Sequence, residues 1–203
     1  IDYTVAPLSS LAITFHVDEP PAQQTGHPGS RATSYLVHGD QVSAADLPDA
    51  KKIDHWVQLA EVDVAAPPGA AAIVTLGDSI TDGHGATTNG NNRWPDVLAE
   101  RLQASPATRI LGVLNQGIGG NHLLTDGLGP NALARFDRDV LAQTGAKYVI
   151  LLEGVNDLGG LTRIAEVSQQ EHDALVHRIL DAYRQIVLRA HAREIKVIGA
   201  TIL

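Results

Sequence analysis

Three short segments concentrate the residues that could do chemistry. Gly77-Asp78-Ser79-Ile80-Thr81-Asp82-Gly83 offers a hydroxyl, and Asn115-Gln116-Gly117-Ile118-Gly119-Gly120-Asn121 offers backbone N–H groups beside paired glycines. Glu153-Gly154-Val155-Asn156-Asp157 offers a carboxamide. A serine near a helix start, just past a buried strand, presents its hydroxyl where the helix N-terminus favours developing negative charge. Taken singly, each segment has an ordinary reading: Ser79 as a helix cap, Gly119-Gly120 as a turn, Asn156 as a turn-closing asparagine. Taken together, they supply a nucleophile and three donors for an oxyanion, namely the Ser79 N–H, a glycine N–H and the Asn156 side chain.

Competing chemistries fit less well. No glycine loop reads GxxxxGK[ST] and none carries a lysine, which argues against phosphate cradling. Gly117-Ile118-Gly119-Gly120 does not complete GxGxxG, and no HExxH occurs. Asp78, Asp82, Glu153, Asp157, His84 and His122 lack a compact ligand spacing, so neither a metal nor a cofactor is expected. With no cysteine there is no thiol nucleophile, disulfide framework or zinc–thiolate site, and serine remains the available nucleophile.

The element such a mechanism lacks is a base. Of the nine histidines, His172, His177 and His191 belong to a helical, solvated segment. His84 and His122 sit in the polar loops but too close along the chain to the groups they would serve. His16, His27, His38 and His55 lie far upstream and read as surface or packing residues.

Positioning these loops falls to the elements around them. Ala71 to Leu76, Ile110 to Leu114, Tyr148 to Leu152 and Ile195 to Leu203 are continuous apolar runs that suit strands covered on both faces. Helical stripes alternate with them: Trp94 to Leu102, with Asn92 as cap, then Leu133, Phe136, Val140 and Leu141, then Leu175 to Ala190. The order β-α-β-α-β-α-β predicts a three-layer α/β/α sandwich with a parallel sheet. In such sheets ligands bind beyond the carboxyl ends of the strands, where all three polar segments fall.

Ahead of Ala65-Ala66-Pro67-Pro68-Gly69-Ala70 the character changes. Leu11 to Val17, Thr33 to Val37 and Ile53 to Val64 favour strands, while Asp18 to Arg31 reads as a long loop. Residues 1–70 are expected to be a partial β-rich accessory region, of β-sandwich type, and residues 71–203 the α/β domain. The chain of 203 residues begins on Ile1 with neither an initiator Met nor a signal peptide, and it reads as an interior segment of something longer.

These loops resemble those of the SGNH, or GDSL, hydrolase superfamily. The likeness runs from about Ile73 to the last residue and is carried by GDSITDG (Gly77 to Gly83), NQGIGGN (Asn115 to Asn121) and GVND (Gly154 to Asp157). The resemblance implies Ser79 as nucleophile, Gly120 as the glycine whose N–H meets the oxyanion, and Asn156 as a further donor. The family's DxxH block, carrying the base histidine and its aspartate, has no match here. Asp157 is expected to order the loop around Asn156 rather than fill that gap. The remaining C-terminal polypeptide, from the same gene product or a second chain, is expected to supply Asp and His.

His27 to Asp40 (HPGSRATSYLVHGD) and Asn92 to Asp96 (NRWPD) resemble larger, secreted bacterial GDSL esterases with a β-rich region before the hydrolase domain, which implies a secreted or extracytoplasmic location. The implied activity is serine ester hydrolysis through an acyl-enzyme. With only 4% aromatic residues no deep lipid groove is announced, and short acyl groups such as acetyl on carbohydrate are expected. The alternatives are a non-catalytic carbohydrate-binding or structural protein on the same fold, a lipase or acyltransferase of the superfamily, and a phosphate-binding enzyme using Arg93. The net charge of 15 − 23 = −8 repels nucleic acid, and no apolar run of 18 residues exists to make a membrane-spanning helix.

Overall fold

The structure, a computed structural model, describes residues 3–202. Ile1 and Asp2 of the expected accessory region, and Leu203 at the end of the last expected strand, lie outside the described residues. The chain divides into two compact units, Ile1–Val62 with Ala86–Asn92, and Asp63–Gly85 with Arg93–Leu203.

The first unit holds four short strands: β1 (Gly26–His27), β2 (Ser34–Leu36), β3 (Lys51–Ile53) and β4 (Trp56–Val57). β1 pairs with β4 and β2 with β3, both antiparallel. The His27 and Trp56 rings, opposite each other in register, meet edge to face with centroids 5.4 Å apart. Residues 86–92 join this unit through Asn89. Its Oδ1 accepts from Thr33 N at 2.8 Å, its Nδ2 donates to Thr33 Oγ1 at 2.7 Å, and its N–H donates to Arg31 O. Three expectations change here. Leu11 to Val17 forms no strand, and Leu11, Ile13, Phe15 and Val17 are exposed. Ile53 to Val64 is strand only at its start, and the expected loop Asp18 to Arg31 contributes β1. Alternating apolar residues define a face, but a strand persists only where a ladder partner takes up its N–H and C=O groups.

The second unit is the expected α/β architecture. In chain order it runs β5 (Ala71–Gly77), α1 (Ser79–Asp82), α2 (Trp94–Gln103), β6 (Leu111–Gly117) and α3 (Ala132–Phe136). α3 continues through a wider π-helical turn at Asp137–Leu141, followed by β7 (Ala146–Leu152), α4 (Val155–Thr162), α5 (Gln169–His191) and β8 (Lys196–Gly199). The four strands form one parallel sheet in the order β6-β5-β7-β8. In β5 Val74 and Leu76 point to one face and Thr75 to the other, and all three are fully buried, as a strand covered on both sides requires. Val74, Leu76, Val149 and Leu151 pack with Phe136, Val140 and the α5 stripe of Leu175, Ile179, Ala182, Ile186 and Ala190. Each large apolar side chain so buried stabilises the fold by about 1.5–3 kcal/mol.

α5 begins with a capping box. Ser168 Oγ accepts from Glu171 N, and Glu171 Oε2 accepts from Ser168 N at 2.8 Å. α2 is not capped by Asn92, whose Oδ1 accepts instead from Thr87 N at 3.0 Å. Arg93 takes the N-cap position, and its N–H donates to Asp96 Oδ2 at 2.9 Å.

Candidate active site

The sheet register sets the geometry. Gly77 at the end of β5 lies opposite Gly117 of β6 on one side and Leu152 of β7 on the other. Ser79, Gly120 and Asn156 follow these three residues by two, three and four positions, so all three expected site residues leave the same edge of three adjacent strands.

Ser79 opens α1. Asp78 caps this single turn, its Oδ1 accepting from Ile80 N at 2.9 Å and its carbonyl from Thr81 N and Asp82 N. Two glycines let the turn lie down on the strand ends. A Cβ on Gly117 would stand 2.2 Å from Asp82 N, and one on Gly77 would stand 2.6 Å from Leu152 O, both backbone atoms. Asn115 joins the turn to β6, its Nδ2 donating to Thr81 O at 2.8 Å while its Oδ1 accepts from Gly117 N. Arg93 closes the far end through Nε–H to Asp82 O at 3.2 Å and an ion pair with Asp96 at 3.1 Å. Ser79 is half-buried, and its hydroxyl makes no hydrogen bond among the described residues.

Gly120 occupies the left-handed region at φ +71°, in a turn closed by Asn121 N–H donating to Ile118 O at 3.0 Å. Asn156 lies in the first turn of α4, which Gly154 initiates at φ +107°. One N–H of its carboxamide donates to Asn121 O at 2.7 Å, which leaves the second N–H for another acceptor. Asp157 accepts from Leu123 N at 2.7 Å and Leu124 N at 3.0 Å and so binds the loop after β6 to α4.

The electrostatics beneath the loops were not announced by the sequence pattern. The side chain of Arg135, next to Phe136 in α3, is wholly buried. It donates to Gly77 O at 3.1 Å, Gln116 O at 2.7 Å and Asp139 Oδ2 at 3.0 Å. Glu153 Oε1 stands 3.6 Å from it, outside hydrogen-bond range. Burial pushes the Glu153 carboxyl up to about 8, with Asp78 adding to the rise and Arg135 opposing it. The guanidinium's hydrogen bonds go to Asp139 and to neutral oxygens, and none reaches Glu153. Burial likewise raises Asp78, against the lowering effect of the Ile80 N–H. The Tyr183 hydroxyl donates to Glu153 O at 2.6 Å and is pushed up to about 12 by burial and the nearby carboxyls.

No histidine among the described residues bonds to the Ser79 side chain. His84 is exposed, and only its backbone N–H meets Ser79, donating to the carbonyl at 2.8 Å. His122 is half-buried, with Nδ1 unpartnered. Among the described residues no group of three or more histidine, aspartate or glutamate side chains is placed to hold a metal ion. Chemically, the three loops offer, at one edge of the sheet, a hydroxyl, a left-handed glycine and a carboxamide with one N–H uncommitted.

Comparison with known proteins adds the family. The model of the GDSL-like Lipase/Acylhydrolase family matches residues 73–203, more than half of the chain. Among solved structures, one similar chain is a protein described as lipolytic and of the G-D-S-L family, from Desulfitobacterium hafniense DCB-2. It is 24% identical over 64% of this chain and 58% of its own, with a TM-score of 0.45. AlinE4, an SGNH-hydrolase family esterase, is 20% identical over 66% and 60%, with a TM-score of 0.47. A catalytic mutant of Axe2, an acetylxylan esterase from Geobacillus stearothermophilus, is 23% identical over 64% and 58%, with a TM-score of 0.45. The match thus spans about three fifths of the length of each of these proteins. A comparison with curated proteins finds no match. On the family match, whose span contains all three polar loops, the chain belongs to the GDSL-like lipase/acylhydrolase family.

Proposed function

We propose that this protein is a serine ester hydrolase that cleaves carboxylic esters through an acyl-enzyme, with Ser79 as nucleophile. The observation that carries the reading is the convergence of three loops at one edge of β6-β5-β7, cross-linked by Asn115 to Thr81 and by Asn156 to Asn121. Ser79 Oγ attacks the ester carbonyl while a histidine takes its proton. The tetrahedral oxyanion is held by the N–H groups of Ser79 and Gly120 and by the second N–H of Asn156. Collapse expels the alcohol, which receives the proton from the histidine, and water repeats the sequence to release the acid. The histidine and its aspartate come from polypeptide outside this sequence, which contains no DxxH after GVND.

The preferred substrate is a short acyl ester, such as acetyl on carbohydrate, met outside the cytoplasm. The low aromatic content, 4%, supports a small acyl group rather than a long lipid chain. Leu128, 84% exposed, lies 3.0 Å from where a Gly120 Cβ would stand, and Ile80 is 45% exposed. The test is Ser79→Ala in the intact protein, assayed with an acetyl ester. Turnover is expected to vanish while the fold is retained, and hydrolysis near the wild-type rate would remove the assignment.

A further inference from the structure

We propose that Arg135 and Asn121 form a positioning relay that orients the Asn156 carboxamide and the Gly120 turn toward the reacting oxygen. The inference rests on the assignment of Asn156 and Gly120 as oxyanion donors, and it names the groups that aim them.

Asn121 is the junction. Its side chain is buried, and Oδ1 accepts twice from Arg135, from Nε at 3.0 Å and from Nη2 at 2.8 Å. Its Nδ2 donates to Pro130 O at 2.9 Å, and its N–H closes the Gly120 turn onto Ile118 O. Its own carbonyl accepts the one N–H that fixes the Asn156 carboxamide, at 2.7 Å. A carboxamide held by one N–H has its second N–H aimed by the position of that acceptor. The direction of the Asn156 donor is therefore set by where Arg135 holds Asn121.

Neutralising acids does not account for this geometry. Asp139 occupies one edge of the guanidinium at 3.0 Å, while the remaining donors go to neutral oxygens at Gly77, Gln116 and Asn121. Those oxygens belong to the end of β5, the end of β6 and the loop after it. A planar, rigid donor fork suits holding three segments at fixed spacing, and the point charge of lysine does not. Arg135 and Asn121 touch no reacting atom and act through Asn156 and Gly120.

The experiment is a double-mutant cycle in the intact protein, with steady-state kinetics on an acetyl ester and a thermal melt for each variant. Asn121→Ala is expected to lower kcat by about 10-fold to 10²-fold, the scale of a misplaced catalytic group, with KM within about threefold. Arg135→Lys, which keeps the buried charge, is expected to lower kcat in the same direction. Replacing Arg135 with an apolar residue risks unfolding, so Asn121→Ala and Arg135→Lys carry the test. The discriminating variant is Asn121→Ala/Asn156→Ala. If Asn121 acts through Asn156 and Gly120, the loss in the pair falls clearly short of the product of the two single losses, because coupled sites do not add.

Wild-type kcat in Asn121→Ala and Arg135→Lys, alongside a slow Asn156→Ala, overturns the relay and leaves the oxyanion assignment standing. Multiplying losses in the double variant likewise overturn it, since they mark an independent structural defect. An unchanged kcat in Asn156→Ala removes the oxyanion assignment and the relay with it.

Discussion

Replacing Glu153 with glutamine should make the protein more stable, by an amount that grows as pH rises from 4.5 to about 8. Glu153 is 1% exposed and its carboxyl is pushed up to about 8, from an ordinary value of 4.5. The groups facing it are Asp78, Asp157, Arg135 and Tyr183. Between pH 4.5 and about 8 the unfolded chain has released this proton and the folded chain retains it. Stability therefore falls as pH rises through that window, by about 1.4 kcal/mol per pH unit at most. The whole contribution is present below the unfolded value and is lost by the folded one, a total of a few kcal/mol. Glutamine keeps the shape and an acceptor for Gly154 N–H, which meets Glu153 Oε2 at 3.2 Å, and it has no proton to lose. Melts of wild type and Glu153→Gln followed by circular dichroism from pH 5 to pH 9 read the effect directly. The two should agree within a few degrees at pH 5 and separate by roughly 10–20 °C at pH 9, at about 2–4 °C per kcal/mol for a chain of this size. An ionised Glu153 serving as the partner of Arg135 would give the opposite sign, with the variant less stable by a constant amount from pH 5 to pH 9. A gap that does not change with pH would refute the reasoning as well.

Two further outcomes follow from the site geometry. Asn156→Ala in the intact protein should lower kcat by about 10²–10³, the scale of losing one oxyanion donor, and an unchanged kcat in steady-state assays would argue against that role. Gly117→Ala places a Cβ 2.2 Å from Asp82 N and 2.6 Å from Thr81 C, atoms that no rotamer change can move aside. It should lower stability by about 1–3 kcal/mol in urea titration and reduce kcat as well, because the Ser79 turn must lift from the strand ends.

The sheet of the second unit is legible in the sequence because its strands are covered on both faces. Continuous apolar runs such as Ala71 to Leu76 then need no alternation to be recognised. The α5 stripe is legible for the complementary reason, since Leu175, Ile179, Ile186 and Ala190 recur at helical spacing and are buried in the structure. The polar loops stand out because glycines collect where α1 must approach backbone within van der Waals distance. Leu11 to Val17 misleads because alternation specifies a face without a partner strand. Arg135 is invisible to pattern reading, since an arginine on a short helix reads as solvated, and only the convergence of Gly77 O, Gln116 O and Asn121 Oδ1 explains its burial. The return of residues 86–92 to the first unit rests on the bonds of Asn89 to Thr33, a pairing 56 residues apart that local pattern cannot report.

The central claim is that Ser79 is an activated nucleophile. Its most direct measurement is reaction of the intact protein with a fluorophosphonate, followed by mass spectrometry of the digested adduct. A single phosphonyl group is expected on the peptide containing Gly77 to Gly83, located on Ser79, with no adduct in Ser79→Ala. An adduct on another residue, or ester hydrolysis that persists with Ser79 unmodified, would contradict it.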